Sequence, residues 1–400
     1  MKIAFLTAGG LAPCLSASIG ALVDEYHEKA KGAEFIGYLN GYKGLLLGNS
    51  IAFPSDVHEK TNTLMSYGGS PIGNGRVKLT NVENCVQNGY VKEGQDPVTV
   101  AAEQLKKDNV NILHTIGGDD TNTMAAELVK NLSNNSHELT VVGLPKTVDN
   151  DVYPIARSLG ADTAAEQGAL FFENIANENT TSSRQLLIHE VMGRHCGWLT
   201  AATARKFRQR LDQKYFADDL LISRNKWDVD AVYIPEELMD LESECERLNQ
   251  LMDTKDSVTI FLSEGAGKDA IVKEMEDKGE DVPRDAFGHV RLDEINPGQW
   301  FAKQFKESLK ADKVLVQKSG YFARSAAPNE YDLDLIKRSA RVAAENALNG
   351  SSGVAGLDED KEDQLGLIEF ERIKGGKPFD TTKEWYQQLK TDINQNKGIL

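Results

Sequence analysis

Short apolar runs that end in glycine or charged residues alternate with amphipathic segments, and this alternation constrains the fold more than any other feature. KIAFLTAGG, residues 2–10, precedes a helical pattern over about residues 16–31, and NILHTIGG, residues 111–118, precedes TNTMAAELVKNL. Helical segments also adjoin the runs LTVVGLPK, QLLIHEVMG, DAVYIPE, SVTIFLSEG and KVLVQKSGY. The pattern predicts a mostly parallel β-sheet covered by helices on both faces. In such sheets, ligands bind beyond the carboxyl ends of the strands.

The chain has 400 residues, which is more than one hydrophobic core normally serves, so two domains are expected. We predict that residues 1–155 plus about 325–370 form one domain and that residues 156–324 form the other. Within the second, residues 265–300 are charged and poor in strands, which is typical of an insertion. Residues 371–400 are predicted to be a C-terminal extension.

The composition excludes several classes of partner and compartment. The net charge of −16, from 61 acidic and 45 basic residues, argues against nucleic acid or an anionic membrane as the main partner. No apolar stretch approaches the roughly 20 residues that span a bilayer, and MKIAFLTAGG suits a first strand better than a signal peptide. A disulfide framework or zinc site is not expected, and a reducing cytoplasm fits best, since no CxxC pair occurs among Cys14, Cys85, Cys196 and Cys245.

The segment TIGGDDTNT combines a strand end with two carboxylates. Gly117 and Gly118 let the backbone turn sharply and approach a ligand without obstruction by a Cβ atom. A helix beginning near Thr121 would direct its N–H groups at the same space. Asp119 and Asp120 suit such a site if a divalent cation is the intermediary, because Mg²⁺ takes one or two carboxylates and completes its shell with water and phosphate oxygens. In the alternative interpretation, the two aspartates only cap a helix.

The segment LPKTVDNDVYP follows another apolar run and carries Lys146, Thr147, Asp149 and Asp151. In an extended chain the two aspartates would point to the same side, whereas a turn would separate them. Phosphoryl transfer needs metal ligands, a cation on the phosphate and a carboxylate that takes the proton of the acceptor hydroxyl. The alternative is an Asx-rich turn without a catalytic role.

The segment HEVMGRHCGW places Met192, Gly193 and Arg194 at a third strand end. Gly193 permits close approach of a ligand, and Arg194 can bind a phosphate through two parallel hydrogen bonds. A methionine at this position is also typical of core packing. His189 and His195 are predicted to be structural, because no HxH or HExxH spacing indicates a metal.

With these three sites, the sequence resembles the phosphofructokinase superfamily and, within it, the pyrophosphate-dependent members, from Met1 to about Leu348. The motifs that carry the resemblance are GGDDTNT, PKTVDND and EVMGR, in that order. It implies the phosphofructokinase fold, which is α/β with two Rossmann-like domains, mostly parallel sheets and an active site in the cleft between the domains. The first domain would bind pyrophosphate and Mg²⁺, and the second would bind fructose 6-phosphate.

The resemblance also implies roles for individual residues. The catalytic residues would be Asp149, the base for the 1-hydroxyl of the sugar, with Thr147 against the transferred phosphoryl group and Arg194. Pyrophosphate would be bound by Gly10, Gly118, Asp120, Lys146 and Arg76. Fructose 6-phosphate would be bound by Thr147, Asp149, Met192, Gly193, Arg194, Glu264, Tyr321, Arg324 and Arg184. Asp119 would help to hold Mg²⁺, with support from Asp151.

The choice of phosphoryl donor is expected to depend on two positions. ATP-using members of the family have glycine where this chain has Asp120 and Lys146. A carboxylate at position 120 would fill the space of a nucleotide and repel its charge, and two like charges about 4 Å apart cost roughly 4 kcal/mol at an effective dielectric constant of 20. The ammonium of Lys146 would neutralise the terminal phosphate of a short donor.

The predicted activity is a reversible, Mg²⁺-dependent transfer of a phosphoryl group from pyrophosphate to fructose 6-phosphate, a step of glycolysis. The resemblance further implies a cytoplasmic homodimer whose sugar site takes an arginine from the partner subunit. One alternative is the same fold with ATP as donor. Another is a catalytically silent sugar-phosphate-binding regulatory subunit. NAD kinase shares a GGD loop but is disfavoured, because PKTVDND and EVMGR have no role there.

Overall fold

The computed structural model describes residues 1–134, 139–284 and 290–395 of the chain. Within these residues the chain forms strands β1 (Lys2–Thr7), β2 (Glu34–Tyr38), β3 (Ser50–Ala52), β4 (Ile112–Gly117), β5 (Thr140–Pro145), β6 (Gln185–Val191), β7 (Ala231–Tyr233), β8 (Ser257–Ser263), β9 (Lys313–Lys318), β10 (Gly353–Asp358) and β11 (Gln364–Ile368).

Helices separate most of these strands. They are α1 (Leu15–Lys29), α2 (Tyr42–Leu47), α3 (Thr61–Met65), α4 (Val82–Gln87), α5 (Pro97–Lys107), α6 (Asp119–Asn134), α7 (Ala161–Ile175), α8 (Trp198–Asp212), α9 (Arg224–Trp227), α10 (Leu241–Lys255), α11 (Lys268–Asp277), α12 (Leu292–Ile295), α13 (Pro297–Ser308), α14 (Gly320–Arg324), α15 (Glu330–Leu348) and α16 (Glu384–Asp392). Across the described ranges, none of these helices is long and apolar enough to cross a membrane.

The chain divides into two compact units, each built from two separate stretches of sequence. Unit 1 comprises Met1–Thr163 and Arg324–Lys377, and unit 2 comprises Ala164–Ala323 and Pro378–Leu400. The first division therefore lies eight residues beyond the predicted boundary at residue 155. The segment 371–400, predicted as a separate extension, is instead shared between the units. The predicted domains also include residues 135–138, 285–289 and 396–400, which lie outside the described residues.

Unit 1 contains a seven-stranded sheet in the order β11-β10-β5-β4-β1-β2-β3. The pairs from β10 through β2 are parallel, and only the edge strands β3 and β11 run antiparallel to their neighbours. Every residue of β4 is buried, as expected for a central strand covered on both faces. The sheet confirms the predicted α/β class with mostly parallel strands.

The register of the central strands brings the carboxyl ends of β1, β4 and β5 to one edge of the sheet. Thr7 of β1 lies opposite Ile116 of β4, and Gly117 of β4 lies opposite Pro145 of β5. The segments that follow these strands therefore start side by side. This is the edge at which the motifs GGDDTNT and PKTVDND were placed from the sequence.

Unit 2 contains a four-stranded, fully parallel sheet in the order β7-β8-β6-β9. The central strand β6 is buried along its whole length. His189, in the middle of it, stacks on Phe172 with ring centroids 5.0 Å apart and meets Phe261 edge-on. Burial lowers the pKa of His189 to about 3, so this histidine is a neutral core residue, as predicted.

The predicted insertion forms a small helical layer of unit 2. It contains α11, α12 and the start of α13, and its own apolar cluster consists of Ile271, Leu292 and Ile295 with Trp300 packed against it. The indole of Trp300 donates a hydrogen bond of 2.6 Å to Glu274 of α11. The segment is therefore poor in strands but packed.

The last described residues complete unit 2. The side-chain amide of Gln395 pairs with both backbone groups of Val232, accepting at 2.9 Å and donating at 3.1 Å. It thereby takes the place of a further strand beside β7. On α16, Tyr386 and Lys390 both contact Glu237 at 2.9 Å.

A buried carboxyl joins two elements of unit 1. Asp332, near the start of α15, is fully buried and accepts hydrogen bonds from the backbone N–H and the hydroxyl of Thr163, at 2.7 and 2.5 Å. Burial raises the pKa of Asp332 to about 6, although the hydrogen bonds from Thr163 oppose the rise. A carboxyl that resists ionisation in the folded protein makes stability depend on pH.

We expect the folded protein to lose stability through Asp332 as the pH rises from about 4 to about 6. In the unfolded chain this carboxyl ionises near pH 4, whereas in the folded protein it stays protonated up to about pH 6. The cost is absent below pH 4 and complete above pH 6, where it amounts to about 3 kcal/mol. Urea denaturation of the wild type and of Asp332→Asn between pH 4 and 7 measures it.

Asp332→Asn keeps an oxygen acceptor for Thr163 but cannot ionise. Its stability relative to the wild type should therefore increase across this pH interval. The matched control is Asp334→Asn, on an exposed position of the same helix, which should leave the pH profile of the wild type unchanged. Parallel profiles for the wild type and Asp332→Asn would contradict the prediction.

Candidate active site

The segments that follow β1, β4 and β5 line a cavity of about 320 Å³ in unit 1. Residues 75–78 and the end of α14 complete its wall. The structure brings ten of the predicted site residues to this cavity: Gly10, Arg76, Gly118, Asp119, Asp120, Lys146, Thr147, Asp149, Asp151 and Arg324. All ten belong to unit 1.

The first loop is shaped by two glycines. Gly9 has a φ of +91°, which L side chains rarely adopt. A Cβ atom on Gly10 would overlap the guanidinium of Arg324. Arg324 in turn donates a hydrogen bond of 3.3 Å to the carbonyl of Leu11. The absence of a side chain at Gly10 therefore lets this arginine lie across the first loop.

One wall of the cavity is cationic. The ammonium of Lys146 is almost fully buried and donates a hydrogen bond of 2.5 Å to the carbonyl of Gly10. Burial lowers the pKa of Lys146 to about 8, and the positive charges of Arg324 and Arg76 contribute to the decrease. A buried ammonium beside two guanidinium groups is destabilised by like charge, and a bound anion would relieve this.

The same cavity is also lined by carboxylates. Asp119 is the first residue of α6, two positions earlier than the predicted helix start. Burial raises the pKa of its carboxyl, and the negative charges of Asp120 and Asp151 raise it further. Negative charges that raise the pKa of a neighbouring carboxyl in this way favour a bound cation.

The PKTVDND segment is turned rather than extended. Asn150 has a φ of +57°, and its side-chain oxygen accepts a hydrogen bond of 2.8 Å from the backbone of Ser158. The hydroxyl of Thr147 donates to Asp151 at 3.0 Å and accepts from the backbone N–H of Asp149 at 3.2 Å. Asp149 and Asp151 nevertheless line the same cavity. The turn therefore brings together two carboxylates that it was expected to separate.

The carboxylate of Asp120, predicted to repel a nucleotide, has a cationic partner in the structure. The carboxylate of Asp120 forms an ion pair of 2.6 Å with the ammonium of Lys78, and both side chains are about half exposed. The paired cation offsets much of the repulsion that Asp120 alone would exert on a nucleotide, and water screens the remainder. Lys78 also lines the cavity, and the sequence reasoning missed it.

A second missed residue is Asn122. It is fully buried, and its side-chain amide donates hydrogen bonds to the carbonyls of Gly117 and Gly118, at 3.2 and 2.9 Å. It thereby fixes the glycine turn in front of the two aspartates. In the sequence, only its position four residues after Gly118, in the first turn of a helix, indicated this role.

The donor set fits Mg²⁺ bound jointly by protein and phosphate. Among the described residues, no group of three or more His, Cys, Asp and Glu side chains is arranged to hold a metal ion. Asp119 and Asp151 offer two hard carboxylates on one cavity, which suits an ion that takes one or two carboxylates and fills its shell from phosphate and water.

In unit 2, the predicted sugar-phosphate residues lie beyond the carboxyl ends of β6 and β8. Gly193 has a φ of +132°, and its carbonyl accepts a hydrogen bond of 2.5 Å from Ser263. Its N–H donates to Glu264 at 3.4 Å. Met192 is partly buried beside it, and the side chain of Arg194 is exposed. The two strand ends thus form one polar loop cluster.

The structure does not bring Arg184 to this cluster. Arg184 precedes β6 and so lies at the opposite end of that strand from Met192, and the strand alone spans about 20 Å at about 3.3 Å per residue. Its guanidinium contacts Asp253, Asn249 and the carbonyl of Leu309. These contacts tie the start of β6 to α10 and to the end of α13. Arg184 therefore lies apart from the other predicted sugar-phosphate residues of its own chain, and its role as a ligand stays a prediction.

Tyr321 and Arg324, both predicted to bind the sugar phosphate, lie in different units of the structure. Tyr321 belongs to unit 2 and is 85% exposed, whereas Arg324 belongs to unit 1 and lines the cavity beside Lys146. Arg324 was expected to bind the phosphate of the sugar. Its position in the structure is instead among the residues predicted to bind pyrophosphate.

Comparisons with known proteins agree over the whole chain. The sequence profile of the family described as Phosphofructokinase matches residues 2–347. A protein of Methylomonas methanica named pyrophosphate–fructose 6-phosphate 1-phosphotransferase is 56% identical over 397 residues, which cover 99% of this chain and 97% of that protein. A protein of Propionibacterium freudenreichii with the same name is 53% identical over 398 residues, covering 100% and 98% of the two chains.

The fold is also shared with a solved structure. The crystal structure of a pyrophosphate-dependent phosphofructokinase from Marinobacter aquaeolei matches with a TM-score of 0.70 and 18% identity, covering 97% of this chain and 91% of that one. At this identity the likeness shows the fold alone. Together with the family profile and the two full-length relatives, it leads to one conclusion: the chain belongs to the phosphofructokinase family.

Proposed function

We propose that this protein transfers a phosphoryl group from pyrophosphate to the 1-hydroxyl of fructose 6-phosphate, reversibly, giving fructose 1,6-bisphosphate. The observation that carries the proposal is the small cavity of unit 1, which a buried lysine and two arginines line together with four carboxylates. Its volume of about 320 Å³ lies at the lower end of the range for ligand sites. The names of the full-length relatives support the same donor and acceptor.

In this proposal, pyrophosphate binds against the cationic wall of the cavity. Gly10 and Gly118 allow the backbone to approach the phosphates, and Lys146 and Arg76 supply positive charge. Arg324 joins them because of its place beside Gly10. Positioning and neutralisation of charge then account for most of the catalysis, as in other phosphoryl transfers.

Asp119 and Asp151 would hold Mg²⁺, which when bound supplies positive charge to the phosphate oxygens. The remaining chemistry belongs to side chains of the protein. Asp149 takes the proton of the acceptor hydroxyl. Thr147 lies against the transferred group, and its hydroxyl joins the carboxylate of Asp151 to the backbone N–H of Asp149.

The acceptor binds through residues of unit 2 in this proposal. Arg194 binds its phosphate, Met192 and Gly193 form the wall of the site, and Glu264 and Tyr321 contact the sugar. The hydrogen bonds of Gly193 with Ser263 and Glu264 support this assignment, because they hold the β6 and β8 ends as one surface. A homodimer in the cytoplasm is the proposed working form.

A coupled assay of the purified protein with fructose 6-phosphate tests the proposal. With Mg²⁺ present, pyrophosphate should support turnover, and ATP at equal concentration should support at least 100-fold less. Faster turnover with ATP would establish the ATP-dependent alternative. Binding of fructose 6-phosphate without turnover from either donor would establish the catalytically silent alternative.

Asp149→Ser should lower turnover by about a thousandfold while the affinity for fructose 6-phosphate stays within about threefold. The substitution removes the base but leaves the phosphate-binding arginine in place. Steady-state kinetics and calorimetric binding of the sugar phosphate measure the two quantities separately. Equal losses in turnover and in affinity would contradict the role assigned to Asp149.

Replacement of Asp120 and Lys146 together by glycine should weaken the use of pyrophosphate and permit the use of ATP. The double variant removes the obstruction at position 120 and leaves the ammonium of Lys78 without its partner. That ammonium is then available to a nucleotide phosphate. Values of kcat/KM for both donors measure the change.

Lys78→Ala supplies the matched control for donor choice. Added to the double variant, it should remove part of the gain with ATP. Made alone, it leaves Asp120 unpaired and should strengthen the exclusion of ATP. If ATP still fails to bind the double variant, another feature of the cavity excludes nucleotides.

A further inference from the structure

A short segment of unit 1, residues 373–377 with the sequence IKGGK, passes directly behind the carboxylates of the cavity. It lies beyond residue 347, where the match to the family profile ends. We call it the 373–377 strap. Ile373, at its start, is buried in the apolar core cluster of unit 1 together with Phe370. The strap is therefore anchored in the core before it reaches the cavity.

The main chain of the strap pairs with the segment that follows Asp149. Lys374 and Tyr153 exchange both backbone hydrogen bonds, at 2.8 and 2.9 Å. The backbone N–H of Lys377 donates to the carbonyl of Asp151 at 2.9 Å. Backbone pairing of this kind fixes the chain position of Asp151 itself.

The far end of the strap is fastened by a side chain. The ammonium of Lys377 contacts the carbonyl of Ile155 and forms an ion pair of 3.0 Å with Glu359. Lys377 is mostly buried, so these contacts are shielded from water. The strap is thus held at both ends, and only its two glycines lie between the fixed points.

Gly375 lies in contact with the side chain of Asp119. A Cβ atom on Gly375 would overlap the carboxylate of Asp119 and crowd its Cβ as well. The neighbouring Gly376 and the more distant Gly366 would meet nothing within 4 Å. Close packing against Asp119 therefore requires glycine at position 375.

We propose that the 373–377 strap is a positioning element for the metal-binding carboxylates, with Gly375 setting the place of Asp119 and the backbone of Lys377 that of Asp151. The inference rests on the proposed function, because that function makes these two aspartates metal ligands. Mg²⁺ demands near-ideal octahedral geometry. Groups that orient metal ligands typically change metal affinity by about 10- to 100-fold when they are altered.

Gly375→Ala tests the inference, with Gly366→Ala as the matched control. Both substitutions add one methyl group to unit 1, but position 366 lies in β11 in open space. Binding of Mn²⁺ in the presence of imidodiphosphate is followed by electron paramagnetic resonance. The Mg²⁺ concentration for half-maximal turnover and the KM for fructose 6-phosphate are measured in parallel.

We expect Gly375→Ala to weaken Mn²⁺ binding at least tenfold and to raise the Mg²⁺ requirement by a similar factor. The KM for fructose 6-phosphate should stay within twofold, and Gly366→Ala should match the wild type throughout. A variant that is merely misfolded would instead lose affinity for Mn²⁺ and for fructose 6-phosphate together. Lys377→Gln removes only the ion pair of the strap with Glu359 and should weaken Mn²⁺ binding about threefold. This second variant tests the inference if Gly375→Ala does not fold.

The outcomes separate this inference from the proposed function. Unchanged metal affinity in both strap variants, with an active wild type, would overturn the inference and leave the function standing. Weaker Mn²⁺ binding in the variants, with a wild type inactive towards pyrophosphate, would support the strap and overturn the function. A wild type that binds no Mn²⁺ would overturn both.

Discussion

The cavity of unit 1 holds charges of both signs in a space too small for them to be fully hydrated, and the rest of the site depends on this constraint. Burial lowers the pKa of Lys146 to about 8 and raises that of Asp119, so each charge is disfavoured where it stands. Either charge is stabilised only by a partner of opposite sign. An anion against the lysine and a cation against the carboxylates satisfy both at once, and magnesium pyrophosphate is a ligand with this charge pattern.

The parallel sheet is what makes such a concentration of charge possible. Its register starts the segments after β1, β4 and β5 side by side, so groups more than 100 residues apart in sequence become neighbours. The backbone supplies the fixed distances, and Asn122 locks the turn after β4. Local interactions then refine individual positions: the hydroxyl of Thr147 holds the carboxylate of Asp151 and the backbone N–H of Asp149.

The family and the fold class could be predicted because their signals are local: an apolar run, a glycine turn and a charged residue within a few positions. The same is true of the placement of Asp119, Lys146 and Asp149 on one edge. The partner of Asp120 could not be predicted, since Lys78 reaches it through space from a different segment. The turn at Asn150 was left open because a positive φ carries only a weak signal in the sequence.

The surroundings of Arg184 could not be predicted for the same physical reason. A resemblance indicates which residues belong near a strand but not which end of the strand a side chain occupies or what already binds it. Arg184 is held by Asp253, Asn249 and a carbonyl. The contact of Gly375 with Asp119 was equally hidden, since glycine next to glycine in a charged tail is typical of a loop.

Each unit is formed from two separate stretches of sequence, and this affects how the chain can fold during translation. β5 gains its outer neighbour only when β10 has been made, more than 200 residues later, and the edge beside β7 waits for Gln395. Neither half can therefore reach its final form while the ribosome is still partway along the message. A strand edge of the nascent chain therefore stays unpaired until these late segments are made, and unpaired edges are the places where a chain pairs with other chains.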